Sequence, residues 1–293
     1  MTPVTATETI TTAALATTGM VTASTETQAT AQPPLESTVN ILILGSDRRT
    51  GTTNWRTDVM MIVALDFARD RAGVISIPRD VYIDLIPNHQ PNRMNVIDYL
   101  GEQDEPDGGG PALLSSIIAE RMGIRIDHFL RFNFESFQTV VDALGGVEVD
   151  IDCPFREYFA IEDVLVNLKP GLTRLSGAEA LVYVRSRRIG GDLERARRQQ
   201  RFVWAVRNQM LKENLLPRVP ALYGALKDSI QTDIGIVNAI RIVRFALALD
   251  EDDIHGFVLA PPDLLTSGWR SGMSIFLADW PAIQEAVQTI FER

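Results

Sequence analysis

Apolar runs begin at Val39. Residues 40–44 (Asn-Ile-Leu-Ile-Leu) are almost continuously apolar and end in Gly45-Ser46-Asp47, the pattern of a buried strand with a polar tip. A second run, residues 59–64, follows Arg56-Thr57-Asp58, and a third, residues 73–77, stops at Pro78-Arg79-Asp80. A short strand is expected over 81–85. Asn92-Arg93-Met94-Asn95 then leads to a helical start near Val96. Gly108-Gly109-Gly110 reads as a flexible break before a helix over 111–122 with Pro111 in its first turn. Residues 127–133 read as a strand and 134–144 as a helix closed by Gly145-Gly146. Residues 147–151 alternate apolar with acidic positions, as a half-exposed strand does. Residues 168–175 read as a turn, and 176–183 as a helix or helix-to-strand passage. The last third, 211–293, reads as mainly helical, with helices over 217–230, 235–248 and 280–291 and one strand over 256–259. Alternating strands and helices predict an α/β domain in which helices cover a mixed sheet.

The strand ends carry the first chemical signal. Asp47 and Arg79 follow their strands, whereas Asp58 precedes its own. If the second strand runs antiparallel to the other two, all of these groups meet at one edge of the sheet. Polar residues end strands in most proteins. Paired carboxylates beside paired arginines also suit a divalent cation with a polyphosphate.

The second signal is the stretch 183–202. It holds seven arginines against Asp192 and Glu194, in a chain whose net charge is −10. A basic island in an acidic chain marks an anion site, and arginine binds phosphate oxygens in a planar, two-pronged way. The chain has only three lysines, so part of this bias is compositional. Gly190-Gly191 breaks the chain, and Asp192 is placed to cap a helix running to about Met210. On that helix Arg195, Gln199, Phe202 and Val206 share a face, near the end where the helix dipole favours an anion. Arg185 and Arg187 face one way if their segment is extended. The alternative is a solvated basic helix, paired to Asp192 and Glu194.

Composition narrows the classes. Hydrophobic residues make up 45% and charged residues 23%, ordinary values for a globular protein. Acidic net charge argues against a general nucleic-acid binder. Cys153 stands alone, which excludes an intramolecular disulfide and a cysteine-based zinc site. His89, His128 and His255 lack ligand spacing. Residues 1–38 hold thirteen threonines and no basic residue, and are expected to be a disordered Thr-rich linker ahead of one domain over 39–293. No signal peptide or membrane helix is legible; the run 11–23 is too short and too polar.

In order and spacing, Gly45-Ser46-Asp47, Arg56-Thr57-Asp58, Ser76-Ile77-Pro78-Arg79-Asp80, Asn92-Arg93-Met94-Asn95, Gly145-Gly146-Val147, Tyr183-Val184-Arg185-Ser186-Arg187 and Gly191-Asp192-Leu193-Glu194-Arg195-Ala196-Arg197-Arg198-Gln199-Gln200 resemble the LytR-CpsA-Psr family of bacterial cell-envelope enzymes. The resemblance covers residues 40–210 closely and 211–293 only in general character. It implies a three-layer α-β-α sandwich with a central mixed sheet. It also implies a phosphotransferase that moves a glycopolymer, such as teichoic acid or capsule polysaccharide, from a polyprenyl-pyrophosphate carrier onto peptidoglycan. By resemblance, Asp47 and Asp58 would hold Mg²⁺ and Arg56 would act beside them. Arg79, Arg93, Arg185, Arg187, Arg195 and Gln199 would bind the pyrophosphate. Arg93-Met94 departs from the family's usual lysine segment while keeping the charge.

A long apolar channel is needed for the lipid, and the helices over 111–122 and 134–144 are candidates to line it. The partners implied are the lipid-linked glycan, peptidoglycan and the membrane surface, with no nucleic acid. The implied location is the extracytoplasmic face of the membrane, although the family's N-terminal membrane helix is missing here. A start assigned too far downstream is the expected explanation, ahead of a truncated or soluble member. Which carboxylate serves as base and which as metal ligand stays open, as do two rivals: a pyrophosphatase on the same lipid, and a non-catalytic binding module for polyprenyl phosphate or anionic glycan.

Overall fold

The computed structural model describes residues 35, 37–49, 51, 53–159, 164–188 and 190–292. The Thr-rich linker expected over 1–38 therefore lies largely outside the described residues. Three apolar runs become β1 (Val39–Ser46), β2 (Thr57–Asp66) and β3 (Arg71–Ser76). β2 is antiparallel to both neighbours, which is the arrangement that brings the charged strand ends together. The strand expected over 81–85 shrinks to β4 (Tyr82–Ile83), paired with β5 (Asn92–Arg93). It stops there because Asp84 and Leu85 face solvent.

Helices α1 (Ile97–Asp104) and α2 (Gly109–Met122) follow. Gly109 and Gly110 are not a flexible break but the buried first turn of α2. A Cβ built on Gly101 would lie 2.3 Å from the Gly109 carbonyl oxygen, and one on Gly110 would lie 2.2 Å from Asp98 Oδ1. The glycines let two helices touch through their backbones, a contact no side chain permits.

β6 (His128–Phe132) lies parallel to β1. α3 (Phe134–Ala143) starts with a capping box between Asn133 and Ser136. β7 (Val147–Ile151), β8 (Phe155–Phe159), β9 (Val164–Leu168) and β10 (Gly171–Leu175) form two small ladders, β8 with β9 and β7 with β10. Only Lys169-Pro170 remains of the turn read over 168–175. The inward residues Val166, Leu168 and Leu175 are buried in a local core, and that burial makes the segment strand. α4 (Gly177–Arg185) is helical to Arg185, so Arg185 and Arg187 do not share an extended segment. The long α5 (Gly191–Lys212) comes next.

The C-terminal part is not simply helical. Around α6 (Val219–Leu226), α7 (Ile236–Ala248) and α8 (Trp280–Gln288) it supplies β11 (Gln231–Thr232), β12 (Ile254–Val258) and the hairpin β13 (Leu265–Arg270) with β14 (Met273–Ala278). The central sheet has the order β11-β6-β1-β2-β3-β12 and mixes parallel with antiparallel pairs. Leu42, Leu44, Met60 and Ile62 pack on one face against Ile97 of α1, Leu114 and Ile118 of α2 and Ile283 of α8. On the other face Ile41, Ile43 and Val63 pack against Ile242 and Phe245 of α7, and α3, α4 and α5 cover a further core. This is the three-layer α-β-α sandwich with a mixed sheet. Among the described residues no helix is long and apolar enough to cross a membrane.

Gly101→Ala tests the α1–α2 contact. The added methyl forces the helices apart and is expected to cost about 1–3 kcal/mol, measured as a lower urea midpoint with an unchanged m value.

Candidate active site

Regular alternation along β2 would put residue 58 on the face of Met60 and Ile62, which pack against α1 and α2. The β1–β2 ladder prevents this. Gly45 pairs with Val59, but Ser46 pairs with Thr57, so Asp58 is the extra residue of a bulge. Asp58 consequently lines the same cavity as Val59 and Met61. Gly45 makes the bulge possible, since a Cβ there would stand 2.9 Å from the Val59 Cβ. Just past the bulge the two chains stay linked: the Asp47 amide donates to the Arg56 carbonyl at 2.9 Å. The Arg56 amide donates to Asp47 Oδ1 at 2.6 Å.

Arg79 reaches Asp58 from the end of β3, with Nη1 2.8 Å from Asp58 Oδ1. Its Nε lies 3.4 Å from Asp80 Oδ2 and 3.9 Å from Asp192 Oδ1. Burial works against this cation, but the charges of Asp58, Asp80 and Asp192 outweigh it and hold Arg79 above its usual pKa. Asp192 gathers two more arginines, Arg195 Nη2 at 2.8 Å and Arg187 Nε at 3.3 Å. Arg195, only 4% exposed, also points a guanidinium nitrogen at the Asp58 carbonyl, 3.5 Å away. Burial, reinforced by Arg187 and Arg79, lowers its pKa to about 10. Arg79 Nε and Arg195 Nε are buried without a hydrogen-bond acceptor among the described residues. Unmade bonds on buried guanidinium groups are costly, and a phosphate oxygen would satisfy them.

Asp192 is therefore not the helix cap expected of it. α5 begins at Gly191 with Gly190 in the left-handed conformation as its N-cap, and no side chain caps it. The carboxylate is instead the hub of three arginines. The ion pairs of the alternative reading are present, since Glu194 pairs with Arg197 and Arg201 on the other flank of the helix.

Behind this charged mouth lies a cavity of about 420 Å³. Its walls are mostly apolar, with Ile43 and Val59 from the sheet, Phe134 and Phe137 from α3, and Phe202 and Val206 from α5. Asp58, Arg185, Arg187, Arg195 and Gln199 line its polar end. Of the two helices expected to line a channel, α3 does so, whereas α2 packs on the opposite face of the sheet. Arg185 is held between rings, its guanidinium carbon 3.9 Å from the Phe134 centroid and 4.9 Å from that of Phe159. Gln199 donates to the Val184 carbonyl at 3.1 Å.

Arg79, bonded to Asp58, stands next to this end. Asp47, Arg56 and Arg93 are outside the cavity wall. Arg93 joins the cluster through Asp80, at 2.9 Å, and Arg56 is exposed beside Asp47. The sequence reading named Asp80 among the charged strand ends but did not find its role between Arg79 and Arg93, the hub role of Asp192 or the Phe134–Arg185–Phe159 sandwich. The Pro-Arg-Asp and Gly-Asp motifs held the first two in plain view, but Phe159 lies in a hairpin with no turn signature.

The described residues contain no group of three or more His, Cys, Asp or Glu side chains disposed for a metal. Asp58 and Asp47 each spend Oδ1 on the hydrogen bonds above. Their hard carboxylate oxygens fit a magnesium ion that takes one or two protein ligands and completes its shell with phosphate oxygens and water.

The chain matches the LytR_cpsA_psr family model over residues 5–291. The regulatory protein MsrR of Staphylococcus aureus (strain COL) is 30% identical over 199 residues, 67% of this chain and 56% of that protein. The polyisoprenyl-teichoic acid–peptidoglycan teichoic acid transferase TagU of Oceanobacillus iheyensis is 31% identical over 200 residues, 68% of this chain and 59% of that protein. The chain thus spans less than two thirds of the length of either relative. The crystal structure of Bacillus subtilis TagV shares the fold with a TM-score of 0.72 at 21% identity, over 88% of this chain and 97% of that one. A LytR-CPS2A-psr family protein, YwtF (TagT), solved with bound octaprenyl pyrophosphate lipid, gives 0.63 at 22% identity, over 89% and 92%.

Arg195→Met is expected to weaken binding of inorganic pyrophosphate by about tenfold or more, as loss of a buried charged hydrogen bond requires. Arg93→Met, one carboxylate further from the cavity, is expected to weaken it less. Titration calorimetry of the two variants checks the order.

Proposed function

The chain belongs to the LytR-CpsA-Psr family, and from this and the site geometry we propose that it is a phosphotransferase that moves a glycopolymer from a polyprenyl-pyrophosphate carrier onto peptidoglycan. The observation that carries the reading is the junction of two environments in one site. A cluster of arginines with unfilled N–H groups stands at the mouth of an apolar cavity. A lipid pyrophosphate has the matching form, a doubly charged head on a hydrocarbon tail. The names of the relatives, a teichoic acid transferase and a structure bound to octaprenyl pyrophosphate, support the same substrate class.

In the proposed reaction a sugar hydroxyl of the acceptor attacks the phosphorus that carries the glycan. A new phosphate ester bond forms, the bond to the bridging oxygen breaks, and polyprenyl monophosphate leaves. The acceptor proton passes to Asp58, which lines the cavity, or to Asp47, whichever of the two does not hold a metal. Arg79, Arg185, Arg187 and Arg195 hold the two phosphates and stabilise the charge that grows on the leaving phosphate. Gln199 completes the polar end, Arg93 stands outside it and steadies the cluster through Asp80, and Arg56 stands exposed at the rim where the acceptor enters. A magnesium ion held by Asp47 or Asp58 would supply further charge neutralisation at the phosphates. The apolar walls take the first isoprene units and exclude water from the reacting centre. With peptidoglycan as the proposed acceptor, we assign the domain to the extracytoplasmic membrane surface.

The test incubates the full chain with a polyprenyl-pyrophosphoryl glycan and peptidoglycan fragments, with Mg²⁺ or with EDTA, and reads both products by mass spectrometry. Metal-dependent attachment of glycan to peptidoglycan is the expected result. Arg56→Ala, Arg79→Ala and Asp58→Asn are expected to lose it while keeping the wild-type circular dichroism spectrum. Lipid phosphate released without attachment would indicate a pyrophosphatase, and bound lipid without turnover a binding module.

A further inference from the structure

Thr57, the residue before the bulge, points to the face of the sheet opposite the cavity. Its side chain is fully buried and its hydroxyl donates to Asp98 Oδ2 at 2.7 Å. Asp98, on α1, is also fully buried, and its other oxygen accepts from Arg131 Nη1 at 2.7 Å. Arg131 is 4% exposed. It spends the rest of its fork on Glu102 Oε1 at 3.0 Å and on Gln231 Oε1 at 2.8 Å from Nε. Glu102 in turn accepts from the backbone amides of Gly108 and Gly110. This buried ionic chain ties β2, β6, β11, α1 and α2 together, and the chemistry proposed above uses none of it. Burying such a group of charges seldom adds net stability. A specific geometric role accounts better for its presence beneath the site.

That role follows from the bulge. Thr57, bonded to α1, and Asp58 point to opposite faces as consecutive strand residues do, and the bulge then keeps Asp58 on the cavity face together with Val59. The extra residue stays in place only while Thr57 is fixed to its side, because a slip of one position turns every following side chain over. On the cavity side Arg195 holds the Asp58 carbonyl and Arg79 its carboxylate. The cation-ring contacts of Arg131 and Arg48 with Trp55, at 5.4 and 5.6 Å, steady the segment just before Thr57.

We infer that Thr57, Asp98 and Arg131 are positioning residues, which act through the β-bulge to aim the Asp58 carboxylate at the reacting phosphate. The inference rests on the phosphotransferase reading for its catalytic consequence and on the ladder geometry for its structural one.

Thr57→Val removes the hydroxyl and keeps the shape and strand preference of the side chain. It is expected to lower kcat about tenfold to a hundredfold, the effect of a small displacement of a reacting group. KM for the lipid-linked donor should stay within about threefold, because the tail and arginine contacts are untouched. Thr57→Ser should restore kcat. A purely stabilising role would lower the melting temperature of Thr57→Val and leave its kcat unchanged. A crystal structure of Thr57→Val supplies a readout independent of turnover. The inference requires that the Asp58–Arg79 hydrogen bond open beyond about 3.5 Å or that Asp58 leave the bulge. Unchanged ladder register with an intact Asp58–Arg79 bond overturns it. If Thr57→Val does not fold, Asp98→Asn is read in the same two ways. Should the wild-type protein transfer nothing, the phosphotransferase reading falls, and the Thr57→Val structure still decides the positioning role.

Discussion

Holding several guanidinium groups out of water beside an apolar cavity is the demand on which the rest of this structure depends. An unpaired buried cation is prohibitively costly. The fold meets the cost with Asp58, Asp80 and Asp192, which thread between Arg79, Arg93 and Arg195, Asp192 also pairing with the exposed Arg187. The compensation is incomplete by design of the backbone. Each carboxylate comes from a different element: Asp58 from a bulge in β2, Asp80 from the turn after β3, and Asp192 from the first turn of α5. None can follow an arginine away from its place, so the guanidinium groups are fixed before any ligand arrives.

The same demand shapes α5. Its buried residues are Arg195, Ala196, Arg198 and Gln199 in the first half, then Phe202 and Ala205, with Gln209 near its end. One helix face thus changes from polar to apolar within about two turns, and the cavity beside it changes in the same direction. Arg198 serves the neighbouring turn, donating to the Ser186 carbonyl just past the end of α4. The segment from Arg185 to Arg187 is thereby held against α5. The polar head and apolar interior of the site are written along a single helix.

Much of the fold was legible because its central strands are apolar over whole runs and its helices carry conventional punctuation. Antiparallel placement of β2 was the condition under which the charged ends would meet, and the ladders meet it; the basic stretch was visible from composition alone. Other parts were not legible for physical reasons. Residues 155–159, 164–168 and 171–175 form strands only because Phe155, Val166, Leu168 and Leu175 are buried in the core that α4 and α5 share, a tertiary effect that local propensity does not record. Gly108-Gly109-Gly110 looked like a break because a sequence cannot tell a glycine needed for freedom from one needed for close contact. Asp192 has the position of a cap, and three arginines, Arg195 from its own helix and Arg79 and Arg187 from outside it, outcompete the helix amides for it. The bulge at Asp58 left no mark except Gly45, whose meaning depends on the partner strand.

Internal carboxylates bear directly on how such a site discriminates. A pocket of bare arginines would attract any anion, and in a chain of net charge −10 it would also draw the protein's own acidic groups. With Asp58, Asp80 and Asp192 in place, a ligand must compete with existing ion pairs. A lone phosphate offers little advantage over the aspartates it displaces. A pyrophosphate offers more oxygens to the unfilled Nε groups of Arg79 and Arg195, and its hydrocarbon tail adds the burial of apolar surface along Val59, Phe134 and Phe202. Selectivity then comes from the sum of two contributions, neither sufficient alone. On the proposed function, the junction of charged mouth and apolar cavity is the place where one ligand collects both.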